Sequence, residues 1–230
     1  MNASNFALLL HPSLRGRAFI QNMVKEQLLP SEIILMNESK EDFGDEIRLD
    51  KYDFFNPNIK VKDTLEKHNL NFTTVDSVDC NNSLVVDAVS ELKSEWLIFS
   101  GGGILRNQFL SLGKKIVHIH PGKLPDYRGS TCFYYSMLNN QGCTCTAFLM
   151  EKGLDSGKVL YYEHFNPPKN IDLDNIYDNW MRAVTLIKVI NKIKKGNITL
   201  KDNDEAKSNM YYIIHPVLKH ISILKNNNEI

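Results

Sequence analysis

Short apolar runs alternate with amphipathic stretches through the first part of the chain. Runs that suit strands buried on both faces of a sheet occur at residues 5–11, 32–36, 72–75, 96–99 and 115–120. Apolar residues at three- and four-residue spacing predict helices at residues 16–28, 59–68, 83–92 and 130–139. Strands that alternate with helices are typical of a mostly parallel sheet with helices on both faces. The pattern therefore predicts an α/β fold.

The second part of the chain begins with two more apolar runs, at residues 144–150 and 159–164, which predict further strands. Residues 172–195 form the clearest predicted helix, because their apolar residues recur at helical spacing and make one stripe. By contrast, residues 37–58 are polar and acidic, which favours an irregular surface segment.

The last thirty or so residues are polar around one apolar island at residues 210–214, and residues 225–230 are expected to fray. There are no internal repeats and no convincing linker. We therefore predict a main domain at residues 1–165, and a short C-terminal extension at residues 166–230 made of a helix and a tail packed on that domain.

Composition excludes several classes of protein. The chain has 230 residues, 43% of them hydrophobic, so it can bury a sizeable core. Its 27 Lys and Arg balance 27 Asp and Glu, which argues against a protein that coats nucleic acid or an anionic membrane. No apolar run reaches the ~18 residues that span a bilayer, and the start lacks the basic region of a signal peptide. We expect a cytoplasmic protein whose four cysteines are core residues.

Two motifs carry the chemistry. The first is His120-Pro121 followed by Leu-Pro-Asp-Tyr-Arg-Gly at residues 124–129, and the second is Gly-Leu-Asp-Ser-Gly at residues 153–157. Their order and separation, together with the segment SGGGILRNQFL at residues 100–110, resemble the 10-formyltetrahydrofolate-dependent formyltransferase family. The resemblance implies a Rossmann-like catalytic domain and a formyl group donated by 10-formyltetrahydrofolate to an amine.

Formyl transfer needs a base for the proton of the amine, an acid for the leaving nitrogen and a donor for the oxyanion. The resemblance implies that His120 is the base and acid and that Asp155 is its partner. The family has Asn two residues before the histidine, where this chain has His118. His118 lies on the same side of the strand as His120, so it can keep the donor role or alter catalysis. Two histidines and a carboxylate also resemble a metal triad; we expect no metal, because the family explains His120 and Asp155.

Binding residues are predicted around these two motifs. The resemblance implies that the pterin of the folate lies near Gly101, Gly102, Gly103, Ile104, Leu105 and Leu154; the alternative for the glycines is an ordinary turn at the end of a strand. Basic residues in two turns can meet an anionic group of the substrate, and these are Arg15, Arg17, Lys123 and Arg128. The alternative for Arg15 and Arg17 is that they belong to a solvated charged turn. The alternative for Lys123 and Arg128 is that they stabilise the loop in which they lie.

The acceptor is expected by elimination to be the primary amine of a nucleotide-linked amino sugar. The tail is shorter than the C-terminal domain of methionyl-tRNA enzymes, and the first turn lacks the glycine-rich phosphate loop of glycinamide ribonucleotide enzymes. A formyltetrahydrofolate hydrolase and a folate-binding relic without turnover stay as alternatives, the latter because of His118. No nucleic acid and no membrane are expected as partners, and a homodimer is considered.

Overall fold

The computed structural model describes residues 5–38, 46–48, 51–204 and 208–230. Nine strands are present in the described ranges: β1 (Phe6–Leu10), β2 (Glu32–Met36), β3 (Thr73–Val75), β4 (Trp96–Phe99), β5 (Lys115–His120), β6 (Tyr127–Gly129), β7 (Cys143–Leu149), β8 (Val159–Phe165) and β9 (Asn209–Tyr211). The helices of the same ranges are α1 (Leu14–Lys25), α2 (Val61–Lys67), α3 (Ser83–Ser90), α4 (Asn107–Leu110), α5 (Cys132–Leu138), α6 (Asp178–Lys194) and α7 (Pro216–Asn227).

Seven strands form one sheet, in the order β3-β2-β1-β4-β5-β7-β8. The strands from β3 to β5 pair in parallel, whereas β7 is antiparallel to both β5 and β8. The predicted mostly parallel α/β fold is therefore confirmed. The chain moves outward from β1 to β2 and β3, then crosses back to β4 on the other side of β1. In such sheets ligands bind at the carboxyl ends of the strands, beside this reversal.

Apolar side chains cover both faces of the sheet. Along β1, Phe6, Leu8 and Leu10 belong to the larger core, which includes residues of α1, α5 and α6. The intervening residues Ala7 and Leu9 belong to a second core with residues of α3 and α4. This two-sided burial explains why the central strands are continuous apolar runs rather than alternating ones. The four cysteines are buried and free.

The long helix predicted at residues 172–195 begins with a π-helical turn, Leu173–Tyr177, and continues as α6. Asp172 caps its start by accepting a hydrogen bond from the backbone N–H of Asn175. The helix packs against α1, β5 and β7. This packing carries the charged side chain of Arg182 under β5, where Nη1 donates to the carbonyl oxygen of Ile119 at 2.9 Å.

The C-terminal part of the chain differs from the sequence-based expectation. Residues predicted to be a polar tail form β9 and α7, and α7 continues to Asn227, so the fraying predicted from residue 225 is wrong for its first three residues. The cause is tertiary: Ser222 is fully buried and its hydroxyl donates to the carbonyl of Tyr134 in α5. The short elements α4 and β6 were also not predicted. The predicted irregular segment at residues 37–58 lies partly outside the described residues, and its described part contains no helix or strand.

Within the described ranges, every helix is too short or too polar to cross a lipid bilayer.

Candidate active site

A cavity of about 680 Å³ opens at the carboxyl end of β5. One side is formed by the segment after β4 and another by the segment after β7. A third side comes from the C-terminal part of the chain. The side chains of His118, His120 and Asp155 all line this cavity. The volume is within the range of small-molecule sites, which is roughly 300–1,000 Å³.

His120 is the last residue of β5 and is 2% exposed. Its Nε2 atom lies 2.8 Å from the carbonyl oxygen of Tyr127, and its Nδ1 atom lies 3.5 Å from Oδ2 of Asp155. Both ring nitrogens therefore face oxygen atoms of the protein. The short contact at Nε2 requires Gly122 in the loop that follows, because a Cβ there would lie 2.7 Å from Nε2.

Besides His120, two segments of the chain hold Asp155 by hydrogen bonds. Its Oδ2 atom accepts a hydrogen bond from the backbone N–H of Gly129 at 2.8 Å. Its carbonyl accepts one from the side-chain amide of Asn203 at 2.9 Å. The backbone of Asp155 has φ +47°, in the left-handed region that non-glycine residues rarely adopt. A strained residue that points into a cavity is typical of functional sites.

The electrostatic surroundings keep His120 neutral. Burial lowers its pKa, and the Asp155 carboxylate and the Tyr127 carbonyl raise it only in part, so the pKa lies below that of a free histidine. A neutral imidazole has one N–H, which we assign to Nε2 because Tyr127 offers the closer acceptor. Nδ1 then carries a lone pair on the side of Asp155. This nitrogen can take a proton, and the resulting cation would face a carboxylate.

His118 lies between the rings of Phe99 and Phe148, with ring centroids 5.9 Å away on each side. Its Nδ1 atom is 3.3 Å from the carbonyl oxygen of Phe99. Burial, followed by the charges of Arg15 and Arg182, lowers its pKa well below the usual value. His118 is therefore a neutral side chain of the cavity wall.

Two arginines bring positive charge to the cavity. Arg15, in the first turn of α1, donates from Nη1 to the carbonyl oxygen of Gly101 at 2.8 Å. Burial and the nearby Arg182 lower the pKa of Arg15 to about 9, so it is still charged at neutral pH. Arg182 is neutralised, because its Nε and Nη2 atoms donate to the two carboxylate oxygens of Asp178 at 2.9 and 3.0 Å. Sequence reasoning missed Arg182, although its i,i+4 pairing with an acidic residue inside an apolar helix was a visible signal.

The C-terminal wall of the cavity was also missed. It consists of Met210, Tyr211, Tyr212 and Ile213, with Ser130 and Thr131 beside it. β9 pairs in parallel with β6, and Tyr211 stacks on Tyr127 at 5.2 Å between ring centroids. Tyr212 and Ile213 are 79% and 78% exposed. The only sign of this wall in the sequence was the apolar island at residues 210–214. That pattern does not indicate which part of the protein the island packs against.

The structure brings only some of the predicted binding residues to the cavity. Those that line it are Gly102, Gly103, Ile104, Leu105, Leu154 and Arg15. Gly101 lies just behind, where its carbonyl holds Arg15.

Three basic residues predicted to bind substrate are elsewhere. The guanidinium of Arg17 is buried and donates to the carbonyl of Pro57. Lys123 pairs with Asp126 at 3.0 Å on the surface, and Arg128 is buried in β6. None of the three lines the cavity. The buried position of Arg17 also differs from the solvated charged turn given as its alternative.

The metal-triad alternative has no support from the geometry. In the described part of the chain, no group of three or more His, Cys, Asp or Glu side chains is placed to hold a metal ion. His120 is already engaged by Tyr127 and Asp155, and His118 by Phe99.

Relatives of the chain are formyltransferases, although no family model matches it. It is 26% identical over 181 residues to the methionyl-tRNA formyltransferase of Finegoldia magna, covering 76% of this chain and 57% of that protein. It is 31% identical over 161 residues to the methionyl-tRNA formyltransferase of Borrelia turicatae, covering 64% and 50%. The chain thus spans about half the length of these curated relatives.

Solved structures with the same fold include formyltransferases. A sugar N-formyltransferase from a Shewanella species matches with a TM-score of 0.61 and 18% identity, over 96% of this chain and 87% of that one. An N-formyltransferase from Helicobacter canadensis, in complex with folinic acid and dTDP-3-aminofucose, matches with a TM-score of 0.62 and 14% identity, over 97% and 80%. The chain is thus similar to formyltransferases in sequence over about half of their length, and similar to N-formyltransferases in fold over most of its own length.

Proposed function

We propose that the protein transfers a formyl group from 10-formyltetrahydrofolate to a primary amine of a nucleotide-linked amino sugar. The observation that carries the proposal is the His120–Asp155 pair, with 3.5 Å between Nδ1 and Oδ2, at the floor of the cavity of about 680 Å³. Formyltransferases are enzymes of this chemistry, and the chain is related to them in sequence.

The donor side of the cavity suits a flat, partly apolar ligand. A Cβ added at Gly102 or Gly103 would meet nothing within 4 Å, so ligand can lie against this backbone. Ile104 and Leu154 face the cavity with 69% and 42% of their surface exposed. Apolar side chains left open at a cavity favour a ligand that covers them. A reduced folate ring has these properties.

The reaction assigns one role to each member of the pair. The amine nitrogen attacks the formyl carbon, a C–N bond forms, and the electron pair of the carbonyl moves onto its oxygen. Nδ1 of His120 takes the proton that the amine loses. The carbonyl then re-forms, the bond to N10 of the folate breaks, and the proton passes from His120 to N10. Asp155 stabilises the imidazolium between these steps.

The acceptor has to be chosen between two classes to which the relatives point. The curated sequence relatives are methionyl-tRNA enzymes, whereas the structural neighbours are sugar enzymes. One observation favours the sugar. The neighbour from Helicobacter canadensis is in complex with dTDP-3-aminofucose, and its fold matches the present chain over 97% of this chain and 80% of that one.

The test is a donor-consumption assay with three acceptor conditions: dTDP-linked amino sugars, methionyl-tRNA, and no amine. We expect formylated amino sugar and tetrahydrofolate in equal amounts. The substitutions His120→Ala and Asp155→Asn should each lower kcat more than about tenfold, because positioned acid–base groups contribute roughly 10²–10⁴. The matched controls are His68→Ala and Asp63→Asn, which change exposed residues of the α2 region and should keep the full rate.

Three results would contradict the proposal in whole or in part. Full activity in both the His120 and the Asp155 variants would remove the assigned mechanism. Formate release without any amine would make the protein a formyltetrahydrofolate hydrolase. Formylation of methionyl-tRNA alone would keep the chemistry and replace the acceptor.

A further inference from the structure

The position of His118 raises the question of which group stabilises the oxyanion, because the family carries an asparagine amide there. The carbonyl oxygen of Phe99 can only accept a hydrogen bond, so Nδ1 of His118 must carry the ring proton to bond with it. The ring is neutral, since burial and two arginines lower its pKa. Nε2 is then unprotonated and can only accept. His118 therefore lacks the donor that the asparagine amide would offer to the cavity.

Arg15 has the unused donors that His118 lacks. In the described ranges, only its Nη1 atom is engaged, by the carbonyl oxygens of Gly101 at 2.8 Å and Ser100 at 3.4 Å. Its Nε atom is buried and has no hydrogen-bond partner among the described residues. A buried donor without a partner is costly, so such a group usually meets a ligand or water. Arg15 lines the same cavity as His118, and its charge acts on that ring more strongly than the charge of Arg182.

The charge of Arg15 is only partly balanced. In the described part of the chain no carboxylate forms an ion pair with it, and burial and Arg182 disfavour its charged form more strongly than Asp178 favours it. Arg182 itself is paired with both oxygens of Asp178 and bonded to the carbonyl of Ile119, so it has no comparable free charge. A negative charge that forms in the cavity would be attracted by Arg15 more than by Arg182.

We propose that the guanidinium of Arg15 donates hydrogen bonds to the formyl oxygen as it becomes negatively charged, and so replaces the donor that position 118 has lost. This inference rests on the proposed formyl transfer, and it names the residue that stabilises the tetrahedral intermediate. The oxygen gains an electron pair when the amine attacks and returns it when the bond to N10 breaks, so Arg15 neither gains nor loses a proton.

The kinetic test combines changes at both positions. Arg15→Gln should lower kcat by about 100-fold or more, the usual effect of removing an oxyanion donor, with the KM of the donor changed less than about threefold. Introducing His118→Asn into that variant should restore kcat at least about tenfold, because it supplies an amide donor. Arg15→Lys keeps the charge and checks the result if the glutamine variant melts early. The control is Lys25→Gln, at the exposed far end of the same helix.

A merely structural role for Arg15 would not give this rescue, since an asparagine side chain introduced by His118→Asn cannot rebuild the contacts with Gly101 and Ser100. Either of two results would overturn the proposal: a kcat of Arg15→Gln within about threefold of wild type, or an equal effect of His118→Asn in both backgrounds, which indicates independent sites.

A binding measurement separates this inference from the proposed function. Calorimetry compares 10-formyl-5,8-dideazafolate with 5,8-dideazafolate, which lacks the formyl group. We expect the wild type to bind both compounds and Arg15→Gln to bind each with a Kd within about threefold of wild type, because Arg15 acts on the negatively charged oxygen and not on the neutral formyl group. If the wild type binds neither compound, the proposed function fails and this inference fails with it. If binding and transfer are normal but the Arg15 variants behave like Lys25→Gln, only the role of Arg15 is overturned.

Discussion

At the scale of single residues, the site depends on which ring nitrogens carry protons. His120 and His118 lie two residues apart on one strand, and both are neutral because burial outweighs the groups that would charge them. Their surroundings still differ. Nδ1 of His120 faces a carboxylate that can stabilise a proton there, whereas Nδ1 of His118 faces a backbone carbonyl. Histidine is thus suited to act as a base at position 120, whereas at position 118 it only lines the cavity.

The pH dependence of turnover follows from His120. In the proposed mechanism the neutral ring is the base, so kcat should fall as the pH drops through the lowered pKa of His120. The carboxylate of Asp155 raises that pKa, and Asp155→Asn removes this contribution. The acid limb of the kcat profile should therefore move to lower pH in Asp155→Asn and stay in place in Asp63→Asn. An acid limb at the same pH or a higher one in Asp155→Asn would mean that the carboxylate does not act on this ring.

At the scale of elements, the small sheet of β6 and β9 connects the segment that follows His120 to the C-terminal wall of the cavity. Gly129 is the last residue of β6, and its backbone N–H donates a hydrogen bond to the carboxylate of Asp155. The backbone N–H of the next residue, Ser130, donates to the carbonyl oxygen of Tyr211 at 2.9 Å. Gly129 has φ +101°, and a Cβ would lie 2.0 Å from the carbonyl oxygen of Tyr211. Glycine is therefore required here both for the backbone angle and for the close approach of the two strands.

We expect Gly129→Ala to separate β9 from β6. Its melting temperature should fall by several degrees, and binding of 10-formyl-5,8-dideazafolate should weaken about tenfold, because one wall of the cavity loses its anchor. The control is Gly196→Ala, which has φ +67° but no atom within 4 Å of the added Cβ. It carries only the backbone strain, about 1–2 kcal/mol. If Gly129→Ala and Gly196→Ala have equal melting temperatures and equal affinities for the analogue, then the close contact between the two strands is not the reason that position 129 requires glycine.

At the scale of the whole molecule, the sequence predicted those elements whose pattern depends only on residues close together in the chain. The first five strands were all predicted, and β2, β4 and β5 begin and end where the pattern predicts. The pairing of His120 with Asp155 followed from the family motif. The antiparallel addition of β7, the helix α7 and the wall at residues 210–213 were not predictable, because each depends on contacts between distant segments. The hydrogen bond between Thr131 and Ile214, for example, joins residues 83 positions apart.

Hydrogen exchange can test whether the distant segments form one site. Binding of 10-formyl-5,8-dideazafolate should slow exchange in residues 102–105 and 150–155, and also in residues 209–213, since all three segments contribute to the cavity lining. A separate surface pocket around Tyr161 and Lys192 provides the internal reference and should not change. Protection limited to the first two segments would mean that the C-terminal wall does not close on the ligand.

The late position of β9 in the chain has a consequence for synthesis on the ribosome. The histidine and its loop are made long before the wall that faces them, and at about 5–20 residues per second the 83 positions between Thr131 and Ile214 take roughly 4–17 s to translate. During that interval the nascent protein has the floor of the cavity but not its C-terminal wall. Under the proposed function, a folate that needs this wall can stabilise the protein by binding only after residues 209–213 have been made.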